Sequence, residues 1–340
     1  LKEKNYNYRV MTTTAVTNLF PEIIGQDPAK RKLSFFIEGY EKTKVIPHLM
    51  LTAPKGAGKT MLARAFAQCL LDEETVHPKK FLELNCATIK NLRQFVEQVM
   101  TVFFVNQDIT VLFDECSELP KDVTMALLTM LNPNKHNRNT FNYEQYSFII
   151  DFKRITFIFA TTEPQEVFHA LMDRMERIDL EDYTHEELGK IMKLNLEDIE
   201  FEDKLLSESI APTLRGNARA AQKMSIHITS YCRTQDKNYF NKKDWLALVK
   251  ILDVLPFGMT KIELRLLQTL KREGQLRLYN LAAKMQMTRG AIMNGIEVYL
   301  QKLSLIEITQ NGRRLSKEGE KLFEESKLDK EDKKDIILSV

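Results

Sequence analysis

Between residues 48 and 180, short apolar runs alternate with stretches in which apolar positions recur every three or four residues. The runs are His48 to Thr52, Phe81 to Asn85, Ile109 to Phe113, Arg154 to Ala160 and Glu176 to Leu180. Strand-like runs separated by helical patterns predict a parallel α/β sheet. After Tyr183 such runs cease. Thr184 and Glu187 have the spacing of a capping box, and Leu188, Ile191 and Met192 share one face of the helix it opens. A helical region therefore follows the sheet and runs to about Asp253, where Leu255-Pro256-Phe257-Gly258 interrupts the periodicity. Beyond it the pattern predicts helices over Lys261 to Arg272, Tyr279 to Met285 and Thr288 to Leu303. A ribbon from Leu305 to Leu315 then turns at Asn311-Gly312, a favoured pair for a two-residue hairpin. Three helices and a hairpin make a winged-helix pattern. The predicted boundaries are 1–182 for the sheet domain, 183–254 for the helical domain, 255–323 for the winged helix and 324–340 for a mixed-charge tail.

Composition narrows the functional classes. Lys and Arg number 49 against 47 Asp and Glu, a formal net charge of +2, so the chain as a whole is no polycation and any nucleic-acid surface must be local. From Lys261 to Lys321 twelve basic residues face six Glu, which is the local excess that a phosphate-contacting module needs. Within it, Ile292, Ile296, Tyr299, Leu300 and Leu303 form the core face of the third helix. That leaves Arg289 and Asn294 outward, with Arg313 and Arg314 after the wing turn, as candidate DNA contacts; winged helices also mediate protein contacts, the minority alternative here. Cys69, Cys86, Cys116 and Cys232 have neither metal-ligand nor disulfide-framework spacing, which points to a reducing setting. No apolar run reaches the roughly 18 to 20 residues that span a bilayer, and the expectation is a cytoplasmic protein without membrane contact.

The candidate chemistry begins at Ala53-Pro54-Lys55-Gly56-Ala57-Gly58-Lys59-Thr60, between a predicted strand and a helix carrying Leu62, Phe66 and Leu70. Glycines there let backbone N–H groups turn toward phosphate oxygens and the helix N-terminus adds partial positive charge. Lys59 meets β/γ oxygens, the Thr60 hydroxyl is a Mg²⁺ ligand, and Met61 continues the segment. The first glycine of the usual pattern is Ala53 here. A second motif supports the first: the run Ile109 to Phe113 ends in Asp114-Glu115. Carboxylates at the end of a buried strand lie beside such a loop, where Asp114 organises the Mg²⁺ shell and Glu115 orients or deprotonates the attacking water.

With these residues in place the chain resembles the AAA+ ATPases, and more narrowly the RuvB family of Holliday-junction branch-migration motors, over roughly residues 18 to 323. The resemblance implies a P-loop domain, a helical lid and a C-terminal winged helix, with ATP and Mg²⁺ as cofactors. Phe20-Pro21-Glu22-Ile23-Ile24-Gly25-Gln26 is similar to the segment that packs on adenine, which makes Ile23 and Ile24 base contacts. Thr156 to Thr162 resembles the sensor-1 strand, with Thr161 preferred over Thr162. Ala170 to Met175 resembles the arginine-finger segment, with Arg174 at the matching position and Met172 where the family usually has another arginine. A finger acting in a neighbour's site implies a homo-oligomer, in this family a hexameric ring.

Leu214-Arg215-Gly216-Asn217-Ala218-Arg219 looks like the sensor-2 motif. Arg219 is aimed at the nucleotide and Arg215 is the competing candidate, with Asn217-Ala218 where the family tends to have a proline before the arginine. A hairpin over residues 140–152 stands where the family docks an accessory protein; its Phe141, Tyr143, Tyr146 and Phe148 either form that surface or pack on their own domain. The implied activity is ATP-driven translocation of duplex or four-way-junction DNA. The alternatives are a loader of a helicase or clamp, and a nucleotide-gated DNA-binding regulator.

Overall fold

The computed structural model describes residues 19–72, 77–105, 107–196 and 198–326. Most of the expected tail, from residue 327, lies outside the described residues, as does the segment before residue 19. The chain divides into two compact units. The first runs to Glu187 and takes in Asn217–Arg219; the second comprises Leu188–Gly216 and the chain from Ala220 onward.

The first unit is a five-stranded sheet of order β2-β3-β6-β1-β7, formed by β1 (Leu49–Thr52), β2 (Lys80–Asn85), β3 (Ile109–Asp114), β6 (Ile155–Thr161) and β7 (Glu176–Asp179). Every pairing in it is parallel, as the alternating pattern predicts. Successive side chains of a strand face opposite ways, so the sheet feeds two cores. On one face Leu49, Leu51, Leu112 and Ile158 pack with α1 (Asp27–Thr43) and α2 (Lys59–Gln68). On the other, Met50, Phe113, Phe157 and Phe159 meet α3 (Leu92–Phe95) with its π-helical continuation Val96–Phe104, and α4 (Lys121–Met130). Phe113 and Phe159 stack with ring centroids 4.8 Å apart, an arrangement that adds to simple burial.

The expected hairpin is present as β4 (Arg138–Tyr143) and β5 (Tyr146–Asp151), with Phe141 opposite Phe148 and Tyr143 opposite Tyr146. Phe141 and Phe148 are buried in the core of the first unit and the two tyrosines pack against it. Of the two readings of these aromatics, packing on their own domain is the one realised. The hairpin's outward face carries Thr140, Asn142, Ser147 and Ile149. A short α5 (His169–Met172) precedes β7.

In the second unit, α6 (His185–Leu194, its first turn still in the first unit), α7 (Ala218–Thr234) and α8 (Lys242–Leu252) bury Leu188 and Met192, Ile228, and Trp245 respectively. A two-residue parallel ribbon of β8 (Glu200–Phe201) and β9 (Tyr239–Phe240) lies among them. The winged helix follows as α9 (Lys261–Glu273), α10 (Leu278–Met285), a third helix and the wing. The third helix is α11 (Arg289–Ala291) and α12 (Val298–Lys302) joined through the π-helical Ile292–Glu297, and the wing is β10 (Ile306–Thr309) with β11 (Gly312–Leu315). Leu266, Leu267, Leu281, Ile292 and Leu300 form its core, which α13 (Lys317–Ser326) closes with Phe323.

Candidate nucleotide site

The loop after β1 is built by two glycines whose conformations other residues rarely adopt. Gly56 has φ +82° and Gly58 φ +93°. A Cβ on Gly56 would also stand 2.1 Å from Asn217 Oδ1, and one on Gly58 2.9 Å from the Tyr183 hydroxyl, so both positions exclude a side chain. Ala53 needs no such freedom: it is buried in the apolar core and its N–H donates to Thr161 O at 3.3 Å, extending the strand pairing past β1. The methyl group at the first loop position is accommodated for that reason. Pro54 and Lys55 are exposed, Ala57 is buried, and Met61 stands half exposed on the first turn of α2.

Lys59 is buried, and its ammonium donates to Ala53 O at 2.8 Å and Pro54 O at 3.3 Å, which holds it on the loop. Burial lowers its pKa from the ordinary lysine value, while the nearby carboxylates of Glu115 and Asp114 oppose that shift and Arg219 reinforces it. The Thr60 hydroxyl donates to Asp114 Oδ2 at 3.3 Å, so two hard oxygen donors meet at the head of α2, a pair that could hold a Mg²⁺ ion. These residues fit the ion: Mg²⁺ typically takes only one or two protein oxygens and completes its shell with phosphate and water.

Asp114 Oδ1 accepts the Glu115 N–H at 3.1 Å, and Glu115 itself adopts φ +54°, ψ +50°, a strained backbone for a residue with a side chain. The Thr162 hydroxyl donates to Glu115 Oε2 at 3.4 Å. Thr161 is fully buried; its hydroxyl donates to Ser117 Oγ at 3.2 Å and accepts the Glu163 N–H at 3.0 Å. The hydroxyl that reaches the Glu115 carboxylate is therefore that of Thr162, whereas Thr161, which the sequence favoured, is turned onto Ser117 and Glu163. Adjacent residues at a strand end face opposite sides, and the sequence did not show which side the phosphate loop occupies.

Around the loop, Asn217 Nδ2 donates to Lys55 O at 3.0 Å and Ala218 N–H to Gly56 O at 3.1 Å. The segment Asn217–Arg219 thereby closes over the loop without the usual proline. Arg215 does not share this site: its side chain pairs with Glu263 in the second unit, whereas Arg219 belongs to the segment Asn217–Arg219 of the first unit. Ile23 is buried with Phe20, Ala53 and Ala57, and Ile24 is half-buried beside it. Gln26 brackets Glu181, its Nε2 donating to Glu181 O at 2.7 Å and its Oε1 accepting Glu181 N–H at 3.0 Å. Tyr183, on Gly58 and bonded to Gln26, completes this wall; the sequence alone did not single it out.

Arg174 follows α5, half-buried, with Nη1 donating to Ala170 O at 2.6 Å and Nη2 to Asn132 Oδ1 at 3.5 Å. Met172 packs into the core, so its position needs no charge.

In the winged helix Arg289 and Asn294 are exposed, as expected. Arg313 is engaged elsewhere: its guanidinium makes two hydrogen bonds, at 2.8 and 3.2 Å, to the carboxylate of Glu297, whose side chain is only 2% exposed. The expectation that Arg313 faces a groove is corrected, since a buried carboxylate requires that cation. Arg314 is exposed and pairs on the surface with Glu307 at 2.7 Å. Among the described residues no cluster of His, Cys, Asp or Glu forms a metal centre, the four cysteines are free, and no helix is long and apolar enough to cross a membrane.

Comparison with known families agrees with this geometry. The model of the AAA family, ATPases associated with various cellular activities, matches residues 49–182, and that of the RuvB C-terminal winged helix domain matches residues 256–324. Among curated proteins the chain is 25% identical over 315 residues to the Holliday junction branch migration complex subunit RuvB of Campylobacter fetus, spanning 89% of this chain and 87% of the relative. The protein of the same description from Thermotoga petrophila is 25% identical over 300 residues, 86% of each chain. Among solved structures, the Thermotoga maritima RuvB Holliday junction branch migration motor superposes with a TM-score of 0.70 at 23% identity, covering 89% of this chain and 96% of that one. The comparisons thus find in this chain an ATPase domain of the AAA family followed by a RuvB C-terminal winged helix domain, with RuvB proteins similar to it over most of its length.

Proposed function

We propose that the protein is an ATP-driven motor of the RuvB type that moves branched or duplex DNA. What supports the reading is the coexistence, in one chain, of Lys59, Thr60, Asp114 and Glu115 at the phosphate loop and a basic winged helix whose third helix presents Arg289 and Asn294 to solvent. Lys59 neutralises phosphate charge, Thr60 and Asp114 hold Mg²⁺, and Glu115 accepts the proton of the attacking water. Thr162 restrains the Glu115 carboxylate, and Arg219 adds positive charge to the same site. Ile23, Ile24 and Tyr183 supply the wall against which the base of ATP lies. Arg174 acts in the site of a neighbouring subunit, in a hexameric ring.

On the DNA side, Arg289, Asn294 and Arg314 make the contacts, while Arg313 holds the wing in place through Glu297. The exposed hairpin face around Ile149 takes the accessory protein. A synthetic four-way junction with labelled arms tests the reading: the wild type separates it into duplexes on addition of ATP and Mg²⁺, and Glu115→Gln does not. Junction that stays intact with a wild type that hydrolyses ATP freely would exclude a motor.

A further inference from the structure

The arginine that the nucleotide site does not use has a built environment of its own. Arg215 sits at φ +58° at the end of the 3₁₀ turn Ala211–Leu214, a conformation that costs a non-glycine residue. Its guanidinium bonds Glu263 Oε1, and its central carbon lies 3.4 Å from the ring centroid of Tyr299, stacked on the aromatic face. Glu263 is 3% exposed and already serves as the capping-box carboxylate of α9, its Oε2 accepting the Thr260 N–H at 2.7 Å. The Tyr299 hydroxyl donates to Phe257 O, in the connection between the helical domain and the winged helix. In the same place Gly258, at φ +65°, comes so close that a Cβ would stand 2.0 Å from Thr213 O. One side chain from the helical domain thus joins the first and third helices of the winged helix around a backbone-to-backbone contact.

The position of this clamp in the chain gives it a consequence. Gly216, at φ +71°, is the last residue of its segment of the second unit, and the chain re-enters the first unit at Asn217. The next residues, Asn217 and Ala218, are those bonded to Lys55 O and Gly56 O of the phosphate loop. A single flexible residue separates the grip on the winged helix from the grip on the nucleotide loop.

We infer that Arg215 is a positioning residue that binds the winged helix and the helical domain into one body, so that movements of the phosphate loop reach the DNA-binding module through Gly216. This rests on the motor reading above for the meaning of the movement, though the clamp itself does not. Without Arg215 the loop still closes on nucleotide and the winged helix still binds DNA, but each is blind to the other. Coupling free energies between sites of about 1–3 kcal/mol correspond to roughly 5- to 150-fold.

The test uses the full chain with Arg215→Ala and Arg215→Lys. Steady-state ATP hydrolysis is measured with and without a four-way junction, junction affinity by fluorescence anisotropy, and unfolding by calorimetry. For Arg215→Ala the expected result is DNA-free kcat and KM within about twofold of wild type and unchanged junction affinity, with the junction-stimulated kcat falling by about tenfold or more. Its calorimetric transition separates the winged helix from the helical domain. Arg215→Lys keeps the ion pair without the flat stacking and recovers part of both effects, which also guards against an alanine variant that does not fold. Equal stimulation and an unsplit transition in Arg215→Ala would overturn the inference, as would a loss confined to DNA-free turnover. If the wild type itself shows no stimulation, the motor reading fails, and the calorimetric splitting alone decides whether the clamp exists.

Discussion

Arg313→Ala separates a structural role from DNA contact more sharply than any other change in the winged helix. The substitution strips from the Glu297 carboxylate the cation bonded to it, the carboxylate side chain being 2% exposed against 14% for Arg313. Breaking a buried pair from one side costs about 3–5 kcal/mol, because the remaining charge is left desolvated and unpaired. Arg313 retains some solvent contact, which places the expected cost near the lower end, about 3 kcal/mol. In a unit of this size that lowers the melting temperature by roughly 6–12 °C. The companion variant Arg313→Met/Glu297→Met removes the stranded charge as well as the pair and recovers most of the loss, since an apolar replacement of a whole pair is often neutral. Thermal denaturation of the wild type, Arg313→Ala and the double variant, with junction affinity measured below the lowest transition, provides the assay. A normal melting temperature for Arg313→Ala together with a several-fold loss of DNA affinity would refute the reasoning and return Arg313 to the groove.

Further outcomes follow from the nucleotide site and the sheet. Thr162→Val removes a hydrogen bond to a charged group, worth about 1.5–3 kcal/mol, so kcat for ATP falls about ten- to a hundredfold with KM little changed; Thr161→Val, read in the same assay, lowers stability instead. Gly56→Ala forces a Cβ into Asn217 Oδ1 at a left-handed φ, and nucleotide affinity measured with a fluorescent ATP analogue drops sharply. His48 lies edge-on to Phe152 and Phe157 with Nδ1 buried and unpartnered, and burial pushes its pKa down to about 4. Its folded form stays neutral while the unfolded chain takes up a proton below about pH 6.5. Stability therefore falls as the pH drops from about 6.5 toward 4, by up to about 3 kcal/mol. Urea denaturation at pH 7 and pH 4.5 detects this loss in the wild type, and His48→Phe shows less of it.

The parallel sheet and the winged helix, though not the strand order, were legible because each rests on periodicity and punctuation that are local in sequence. Asp114-Glu115 at the end of a wholly apolar run, and Asn311-Gly312 between two short runs, are examples. The phosphate loop was equally legible, and Ala53 proves compatible because it continues a strand rather than a turn. What the sequence did not carry is facing. Phe141 lies between Thr140 and Asn142 while Phe148 is followed by Ile149, and neither pattern says which side of the hairpin meets the core. Thr161 and Thr162 differ only in which side of the strand end the loop occupies. The pairing of Arg313 with Glu297, and of Arg215 with Glu263, joins residues 16 and 48 positions apart, and neither spacing has a local signature. Such pairs decide which arginines remain available to ligands, and charge counting alone does not reveal them.

ATP hydrolysis by the wild type and by Glu115→Gln, measured in parallel without DNA, with duplex and with a four-way junction, tests the central claim most directly. The account predicts turnover that rises on addition of duplex or junction and drops by about a hundredfold or more when the carboxylate is replaced. Turnover that ignores DNA, or that survives Glu115→Gln, would contradict it.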